Sequence, residues 1–564
     1  MMHRASIKAD GFSDAATDGR PVIGICNSWS ELVHCNVHLR GLAQAVKRGV
    51  LAAGGLPLEF PTISLSENLM KPSTMLYRNL MSMDVEETIR AHPLDAVVLL
   101  AGCDKTVPAQ LMGAASAGIP AIMLTGGPGQ AAFFHGRELG VGTDLWEYTA
   151  EYRAGRMSKA DYDALEAALI PSFGHCNELG TASTLAGVVE ALGMCLPDTA
   201  AIPAADARRA AASEETGRRA VELAGSDLSP SRILSTGAFD NAITVLMALG
   251  GSTNAVIHLL ALAGRVGVEL DLERFQEISE RTPMLANLRP SGQYLFGDLF
   301  RVGGIPAVLH ELSPLLDLDA TMVSGQTMGE ALDSATAGAD GKVLAPLSSP
   351  RHPTGGLTVL GGNLSPRGAM IKHAAGSPEL LQHRGRAVVF EDMEDMIRRI
   401  DDPELPAEPD SVLVLKNAGP RGAPGFPEWG MLPLPQRLLE QGVRDMVRIS
   451  DARMSGTAFG TVVLHVSPEA AAMGPLAAVE DGDEIVLDTE RRRLDVSLPD
   501  NEIRRRLDRL APRAPAYRRG YGAMYLDHVL QADEGADLDF LRKLPDEDPV
   551  TEPLGLLDGW IGGW

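Results

Sequence analysis

The sequence predicts an α/β protein whose N-terminal domain is built on a parallel β-sheet and whose C-terminal domain is rich in β-strands. From about Pro21 the chain alternates short apolar runs with amphipathic segments, which is the rhythm of an α/β sheet. After about Ala374 this rhythm gives way to short β-like runs separated by Gly, Pro and Asp. We therefore predict an N-terminal α/β domain over residues 1–375 and a C-terminal β-rich domain over residues 376–564.

The N-terminal elements follow one another in strand and helix order. In chain order we predict strand Pro21–Cys26, helix Asn36–Ala53, strand Ala96–Leu100, helix Ala109–Ala117 and strand Pro120–Leu124. The predicted strands are apolar on both faces, as the buried strands of parallel sheets tend to be. Ligand-binding residues of such sheets gather in the loops after the carboxyl ends of the strands. Gly102–Thr106 is such a loop, so we expect chemistry there.

The C-terminal domain is predicted from five short β-like runs. These are Ala387–Phe390, Val412–Leu415, Thr461–Val466, Glu484–Leu487 and Leu494–Leu498. The segment Ser349–Arg367 is rich in Gly and Pro, and we interpret it as either a boundary loop or a lid.

The composition excludes several classes of protein. With 564 residues and 45% hydrophobic residues, the chain can bury at least one large core. A formal net charge of −24 would repel a phosphate backbone, so we expect no nucleic-acid partner. The first residues, Met1 to Asp18, are polar and lack the apolar core of a signal peptide. A cytoplasmic location is therefore predicted.

One uncharged stretch, Ala242–Gly264, is long enough to span a bilayer. A Gly-Gly-Ser-Thr-Asn sequence interrupts it at residues 250–254. Such a cluster marks a turn, so two buried helices are predicted instead of a membrane span.

The five cysteines fall into two groups. Cys35, Cys103 and Cys176 lie in polar loops, whereas Cys26 and Cys195 lie in apolar runs and are typical of small core residues. An odd number of scattered cysteines argues against a disulfide framework. Spacing alone leaves metal binding and simple burial both open, because no C-x-x-C pair occurs. If three thiolates held an iron–sulfur cluster, one iron would lack its usual fourth thiolate and could accept a substrate oxygen.

Several acids are candidate ligands for a hard cation. Asp104 and Lys105 directly follow Cys103, and Glu67 and Glu428 also lie in polar segments. Oxygen ligands of this kind suit Mg²⁺. A solvated surface charge is the alternative for each acid. A phosphate-binding P-loop is excluded, because Asp104 stands where that motif requires Gly before Lys-Thr.

A possible catalytic hydroxyl follows the apolar run Met446–Ser450. The sequence Asp-Ala-Arg-Met-Ser-Gly-Thr, residues 451–457, is typical of a turn after a strand and would expose Ser455. A merely structural tight turn is the alternative. A serine that acts as a base needs its alkoxide stabilised by adjacent cations or a metal.

Taken in order, these motifs resemble the dihydroxy-acid and sugar-acid dehydratase family. The resemblance covers nearly the whole chain and rests on Leu56–Met83, Gly102–Thr106, Gly174–Thr184, Gly251–His258, Asn417–Pro433 and Val443–Pro468. Within the family, the sequence Pro-Glu-Trp-Gly-Met-Leu-Pro at residues 427–433, the segment Lys71–Asn79 and the tail Asp527–Asp533 are most similar to the pentonate branch, which includes arabinonate dehydratases.

The resemblance implies a fold and a site. It implies a barrel-like C-terminal domain, a homodimer or homotetramer, and a [2Fe–2S] cluster on Cys35, Cys103 and Cys176. It further implies Mg²⁺ among Glu67, Asp104, a carbamylated Lys105 and Glu428, with Ser455 as the catalytic base and Thr457 close by. Carbamylation makes chemical sense of Lys105, because an ammonium repels Mg²⁺ whereas a carbamate offers it an anionic oxygen.

The implied reaction is the dehydration of a 2,3-dihydroxy carboxylic acid, and of a sugar acid in particular, to its 2-keto-3-deoxy product. A branched-chain dihydroxy-acid dehydratase, an enzyme that spans both substrates, and a non-catalytic iron–sulfur sensor are the alternatives. The acidic tail Arg542–Trp564 departs from the shorter tails of pentonate enzymes and leaves the substrate's identity open.

Overall fold

The computed structural model describes residues 2–17, 19–333, 338–429 and 431–543. Within these residues, four parallel strands form the N-terminal sheet: β1 (Val22–Asn27), β2 (Leu56–Pro61), β3 (Ala96–Ala101) and β4 (Ala121–Thr125). Their spatial order is β2-β1-β3-β4, and all three pairings are parallel. The predicted α/β class and parallel sheet are confirmed. A small antiparallel hairpin of β5 (Ala132–Phe134) and β6 (Arg137–Leu139) follows.

Helices cover the N-terminal sheet and extend beyond it. In chain order they are α1 (Met2–Ala9), α2 (Leu39–Ala52), α3 (Thr74–Ala91), α4 (Thr106–Ala117), α5 (Thr143–Arg153), α6 (Lys159–Leu169), α7 (Thr181–Ala191), α8 (Ala207–Leu223), α9 (Pro230–Ile233), α10 (Thr236–Leu249), α11 (Asn254–Val266), α12 (Leu272–Arg281), α13 (Phe296–Arg301), α14 (Gly304–Leu312) and α15 (Met328–Asp333). Helix α4 begins three residues before its predicted start, because Pro108 lies in the first turn, where a missing N–H costs nothing.

The uncharged stretch 242–264 forms parts of two buried helices, as predicted. Helix α10 ends at Leu249, Gly250 adopts a left-handed conformation with φ of 64°, and α11 begins at Asn254. No helix in the described part of the chain is both long enough and apolar enough to span a membrane.

The C-terminal sheet is barrel-like, as predicted. Among the described residues it comprises eight strands: β7 (Thr358–Leu360), β8 (Gly368–Ile371), β9 (Gln382–Phe390), β10 (Val412–Leu415), β12 (Arg448–Ser450), β14 (Val462–Ser467), β15 (Glu484–Asp488) and β16 (Arg493–Val496). Their order is β16-β15-β9-β10-β12-β14-β8-β7. A bridge between Gly361 and Arg493 joins the two outer strands and nearly closes the sheet. A separate ribbon pairs β11 (Glu428–Trp429) with β13 (Arg453–Met454).

Four further helices lie in the C-terminal half of the described chain. They are α16 (Met393–Arg399), α17 (Gln436–Glu440), α18 (Asp500–Leu507) and α19 (Gly520–His528). Two of them, α17 and α19, contact helices of the N-terminal half. All five β-like runs predicted for this half coincide with strands. The interpretation of Ser349–Arg367 as a loop or lid is wrong in part, because β7 lies inside it and pairs with β8. The barrel sheet therefore begins before residue 375, the predicted end of the N-terminal domain.

Candidate active site

The candidate residues of the N-terminal half converge on one edge of its sheet. Cys35 lies in the loop region after β1, Glu67 in the loop after β2, and Cys103 to Lys105 between β3 and α4. Because β1, β2 and β3 are parallel, their carboxyl ends meet at the same edge. The fold therefore brings together loops that are far apart in sequence.

Cys35, Cys103 and Cys176 form a group of thiols at this edge. The pKa of Cys35 lies well above its usual value because its thiol hydrogen-bonds to Cys103, because burial disfavours the thiolate, and because Cys176 lies nearby. The Cys35 sulfur is also 3.5 Å from Nε2 of His34. Burial likewise raises the pKa of Cys176 well above its usual value. Cys35 and Cys176 are thus neutral thiols as they stand, and binding of a soft cation would require their deprotonation.

The other two cysteines lie in the core, where the sequence predicts them. Cys26 lies in β1 and Cys195 follows α7, and both are buried among apolar side chains. The structure therefore divides the five cysteines as the loop and core contexts predict.

Lys105 lies at the centre of the candidate magnesium ligands. Its side chain is 0% exposed, and its Nζ lies 3.6 Å from Glu67 Oε2, 3.7 Å from Asp104 Oδ2 and 3.5 Å from Glu428 Oε2. Glu428 belongs to the C-terminal half, so this contact joins the two halves of the chain. All four residues that the sequence proposes for this centre are thus adjacent.

The three carboxylates differ in how strongly they hold their protons. Burial raises the pKa of Glu428 to about 7, against the attraction of Lys105. Burial also raises the pKa of Asp104 despite the Lys105 charge. Burial opposes ionisation of Glu67, but Lys105 and Arg453 together lower its pKa below the usual value. Crowded buried carboxylates of this kind require compensating positive charge, which a cation supplies.

Arg453 is a site residue to which sequence reasoning gave no role. Its side chain is fully buried, and its Nη1 donates to Glu428 Oε2 at 2.8 Å. Its Nη2 lies 3.9 Å from Glu67 Oε1. Arg453 was visible in the sequence within residues 451–457, but no sequence signal tied it to carboxylates elsewhere.

The ribbon of β11 and β13 brings the C-terminal residues to the site. Glu428 pairs in register with Arg453, and Trp429 with Met454. The backbone N–H of Ser455 donates to the Trp429 carbonyl at 3.2 Å. Because Glu428 lies in β11 and Ser455 directly follows β13, the carboxylate and the hydroxyl are carried by the same ribbon.

Ser455 and Thr457 are held between the two halves. The Ser455 Oγ lies 2.8 Å from Thr457 Oγ1. Trp146 Nε1 donates to Thr457 Oγ1 at 3.3 Å, and Thr143 Oγ1 donates to the Thr457 carbonyl at 2.9 Å. Among the described residues, no carboxylate or imidazole hydrogen-bonds to Ser455, so the site is not a Ser-His-Asp triad.

The donor sets fit the two predicted metals in chemistry. Three thiols suit iron or an iron–sulfur cluster, and three carboxylates suit Mg²⁺. In the described residues no three His, Cys, Asp or Glu side chains are arranged so that they could hold a metal ion as they stand. Glu67, Asp104 and Glu428, here called the acid group, are arranged around Lys105 Nζ and so leave no open position for a metal ion between them.

Comparison with known proteins yields two family matches that together cover most of the chain. The model for the N-terminal part of dihydroxy-acid/6-phosphogluconate dehydratases matches residues 20–331, and the C-terminal model matches residues 342–536. The chain is 52% identical to an L-arabonate dehydratase of Azospirillum brasilense and 50% identical to an L-arabinonate dehydratase of Rhizobium leguminosarum bv. trifolii. Each alignment covers 96% of this chain and 94% of the relative.

A third relative is named for a different sugar acid. The chain is 44% identical to a 6-deoxy-6-sulfo-D-gluconate dehydratase of Pseudomonas putida, with 98% of this chain and 95% of the relative aligned. All three relatives are named as sugar-acid dehydratases.

Proposed function

Because the chain belongs to the dihydroxy-acid/6-phosphogluconate dehydratase family and is a hydro-lyase, we propose that its substrate is an aldonate, such as L-arabinonate or another pentonate or hexonate. The product would be the 2-keto-3-deoxy acid. We propose further that the enzyme needs an iron–sulfur cluster and Mg²⁺, and that it works as a homodimer or homotetramer.

One observation carries this proposal. Lys105 lies within 3.7 Å of three carboxylates from three segments of the chain, and Cys103 precedes it by two residues. A thiol group and an acid group therefore share one loop. A dihydroxy acid has a carboxylate and two adjacent hydroxyls, so one substrate can reach both groups at once.

In the loaded enzyme, Cys35, Cys103 and Cys176 would hold a [2Fe–2S] cluster, and Glu67, Asp104, Glu428 and Lys105 would surround Mg²⁺. When bound, the two centres supply Lewis acidity for the substrate oxygens and for the charge that develops at C2 and C3. The remaining chemistry belongs to side chains of this chain.

Ser455 is the proposed base. Its ionised Oγ takes the proton from C2 while the C3–O bond breaks, and that proton then leaves with the departing hydroxide as water, which returns Ser455 to its ionised form. The resulting enol loses its hydroxyl proton and gains one at C3 to become the 2-keto acid, so no electrons are exchanged with a redox partner. Thr457 donates or accepts at Ser455 Oγ over 2.8 Å and fixes the position of that oxygen.

Lys105 must change its charge for this role. As an ammonium it attracts the three carboxylates, and it would compete with Mg²⁺ for them. Reaction of its neutral amine with carbon dioxide forms a carbamate and releases one proton. The carbamate replaces a repelling cation with an anionic oxygen ligand. We propose this modification for Lys105 in the active enzyme.

The names of these three relatives favour an aldonate over 2,3-dihydroxyisovalerate, the substrate of branched-chain dihydroxy-acid dehydratases. Each of the three is named for a polyhydroxy acid. The signature Pro-Glu-Trp at residues 427–429 supports the same branch; Gly430, which follows it, lies outside the described residues, as does the acidic tail from residue 544 onward.

A substrate panel tests the proposal. Protein purified without oxygen and supplied with Mg²⁺ would be assayed for 2-keto acid formation from C5 and C6 aldonates and from 2,3-dihydroxyisovalerate. We expect faster turnover of at least one aldonate. Faster turnover of dihydroxyisovalerate would assign the chain to branched-chain amino-acid synthesis. If the protein dehydrates none of these acids, the proposal is refuted.

A further inference from the structure

The side-chain amide of Asn254, the first residue of α11, lies between the acid group and the serine. Asn254 is fully buried. Its Nδ2 lies 2.8 Å from Glu428 Oε2, 3.0 Å from Thr181 Oγ1 and 3.2 Å from the Met454 carbonyl oxygen. Glu428 and Met454 belong to the C-terminal half, whereas Thr181 begins α7 in the N-terminal half.

The surroundings fix which end of this amide faces the site. The Glu428 carboxylate and the Met454 carbonyl can only accept hydrogen bonds, so the NH₂ group must point at them. In the described residues Oδ1 of Asn254 has no hydrogen-bond partner. A buried amide oxygen without a donor is unfavourable, so it is the two acceptors, Glu428 and the Met454 carbonyl, that impose this orientation.

Asn254 also reaches Asp104 through one hydroxyl. Thr181 hydrogen-bonds to the Asp104 carboxyl. The same Thr181 Oγ1 accepts a hydrogen bond from Asn254 Nδ2 and shares another with Ser252 Oγ, which is 3.0 Å away. One amide is thus bonded directly to Glu428 and, through Thr181, to Asp104.

The bond to Met454 links the same amide to the proposed base. Met454 directly precedes Ser455, and Gly456 packs so closely on Thr181 and Ser252 that an added Cβ would lie 2.9 Å and 2.6 Å from their atoms. The acid group and the serine turn therefore rest on one set of contacts with the N-termini of α7 and α11.

Helix formation does not explain the Asn254 side chain. All three acceptors of its amide lie outside α11. Nor does the preceding residue, Thr253, cap the helix with its side chain. The Asn254 amide thus connects α11 to residues of other elements and does not stabilise α11 itself.

We propose that Asn254 is a positioning residue that holds Glu428, Asp104 and the Ser455 turn in one geometry, so that cation binding and proton removal are aligned. Asn254 acts through these residues and touches no reacting atom. This inference rests on the proposed function, because it assigns Glu428 and Asp104 to Mg²⁺.

The test compares Asn254→Ala with Asn241→Ala. Asn241 is also buried and lies in α10 of the N-terminal half. Its side-chain amide makes two hydrogen bonds to the backbone of Asp317, away from the site. Both variants lose the same side chain, but only one loses contacts to Glu428 and Met454. Asn254→Asp, which keeps the volume and removes the donor, serves as a second variant should the alanine protein not fold.

Mg²⁺ binding to the substrate-free proteins would be measured by calorimetry, together with iron content and the kcat and KM for the best aldonate. For Asn254→Ala we expect Mg²⁺ affinity about 10- to 100-fold weaker and kcat lowered over a similar range, since a partner of metal ligands has this typical effect. KM and iron content should change little. Asn241→Ala should keep the wild-type Mg²⁺ affinity.

Two results separate failure of this inference from failure of the proposed function. If wild-type protein binds Mg²⁺ and dehydrates an aldonate while both Asn254 variants match it within about two-fold in Mg²⁺ affinity and kcat, Asn254 has no positioning role. If wild-type protein binds no Mg²⁺ and dehydrates no aldonate, the function itself is wrong and the inference falls with it.

Discussion

The hydroxyl oxygens of Ser455 and Thr457 lie 2.8 Å apart, and the second of them also accepts a hydrogen bond from Trp146 of the N-terminal half. This contact fixes the hydroxyl of a C-terminal turn against a helix of the other half. Ser455 itself is only partly buried, whereas Thr457 is buried. Of the two hydroxyl-bearing residues, Ser455 is therefore the more accessible one, and Thr457 holds it in place.

Replacing Ser455 by Ala should remove the base and leave the metal sites intact. We expect kcat to fall about 10²- to 10⁴-fold, the usual contribution of a general base. Thr457→Val, which removes only the supporting hydroxyl, should cost less. Steady-state kinetics with iron and Mg²⁺ analyses would check both. Full activity of Ser455→Ala with its cluster spectrum unchanged would rule out the serine as base and favour a non-catalytic sensor.

Lys105 should carry a carbamate in active protein and an ammonium in protein stripped of carbon dioxide. We expect Mg²⁺ affinity and activity to rise together when bicarbonate is returned, because the carbamate removes the cation that competes for Glu67, Asp104 and Glu428. Mass spectrometry under native conditions would detect one added carbon dioxide. Lys105→Met should lose the bicarbonate response. Equal Mg²⁺ affinity with and without bicarbonate would contradict the modification.

Lys372 should make stability depend on pH in the alkaline range. The pKa of this half-buried side chain is lowered from 10.5 to about 7 because the surrounding protein desolvates its ammonium, and its Nζ donates to the Gly456 carbonyl at 3.4 Å. Between these two pKa values the unfolded chain binds the proton and the folded chain does not, so stability rises with pH.

Lys372→Met removes the ammonium and with it the free-energy cost of its desolvation in the folded protein. We expect the variant to melt at a higher temperature than wild type, with the largest difference at and below pH 7 and a shrinking difference toward pH 10.5. Lys416→Met is the matched control, because Lys416 is buried but paired with Glu391 at 3.0 Å, and its loss should destabilise the protein. A difference between Lys372→Met and wild type that stays constant with pH would contradict the lowered pKa.

The fold was predictable where the local pattern and the packing agree. Val412–Leu415 is an apolar run bounded by polar turns, and it is a strand with those bounds. The strand Thr358–Leu360 was missed because its three residues lie among Gly and Pro, and only its pairing with β8 and the bridge beside Gly361 make it a strand. Tertiary partners decided the outcome there.

The candidate site was predictable where residue type alone suggests chemistry. Cysteines in polar loops and acids in family motifs pointed to Cys103, Glu67 and Glu428, and the structure brings them to one edge. Arg453 and Asn254 were missed because an arginine in a short strand or an asparagine at the start of a helix has many ordinary uses. Their roles follow from contacts with Glu428, which is 174 residues from Asn254 in sequence.

The most direct test compares Cys103→Ser with Cys26→Ser, because the first change touches the proposed cluster and the second a core strand. Iron, acid-labile sulfide and aldonate dehydration would be measured on protein purified without oxygen. We predict that Cys103→Ser loses the cluster and its activity, whereas Cys26→Ser keeps both. Wild-type protein without iron, or full activity of Cys103→Ser, would contradict the account.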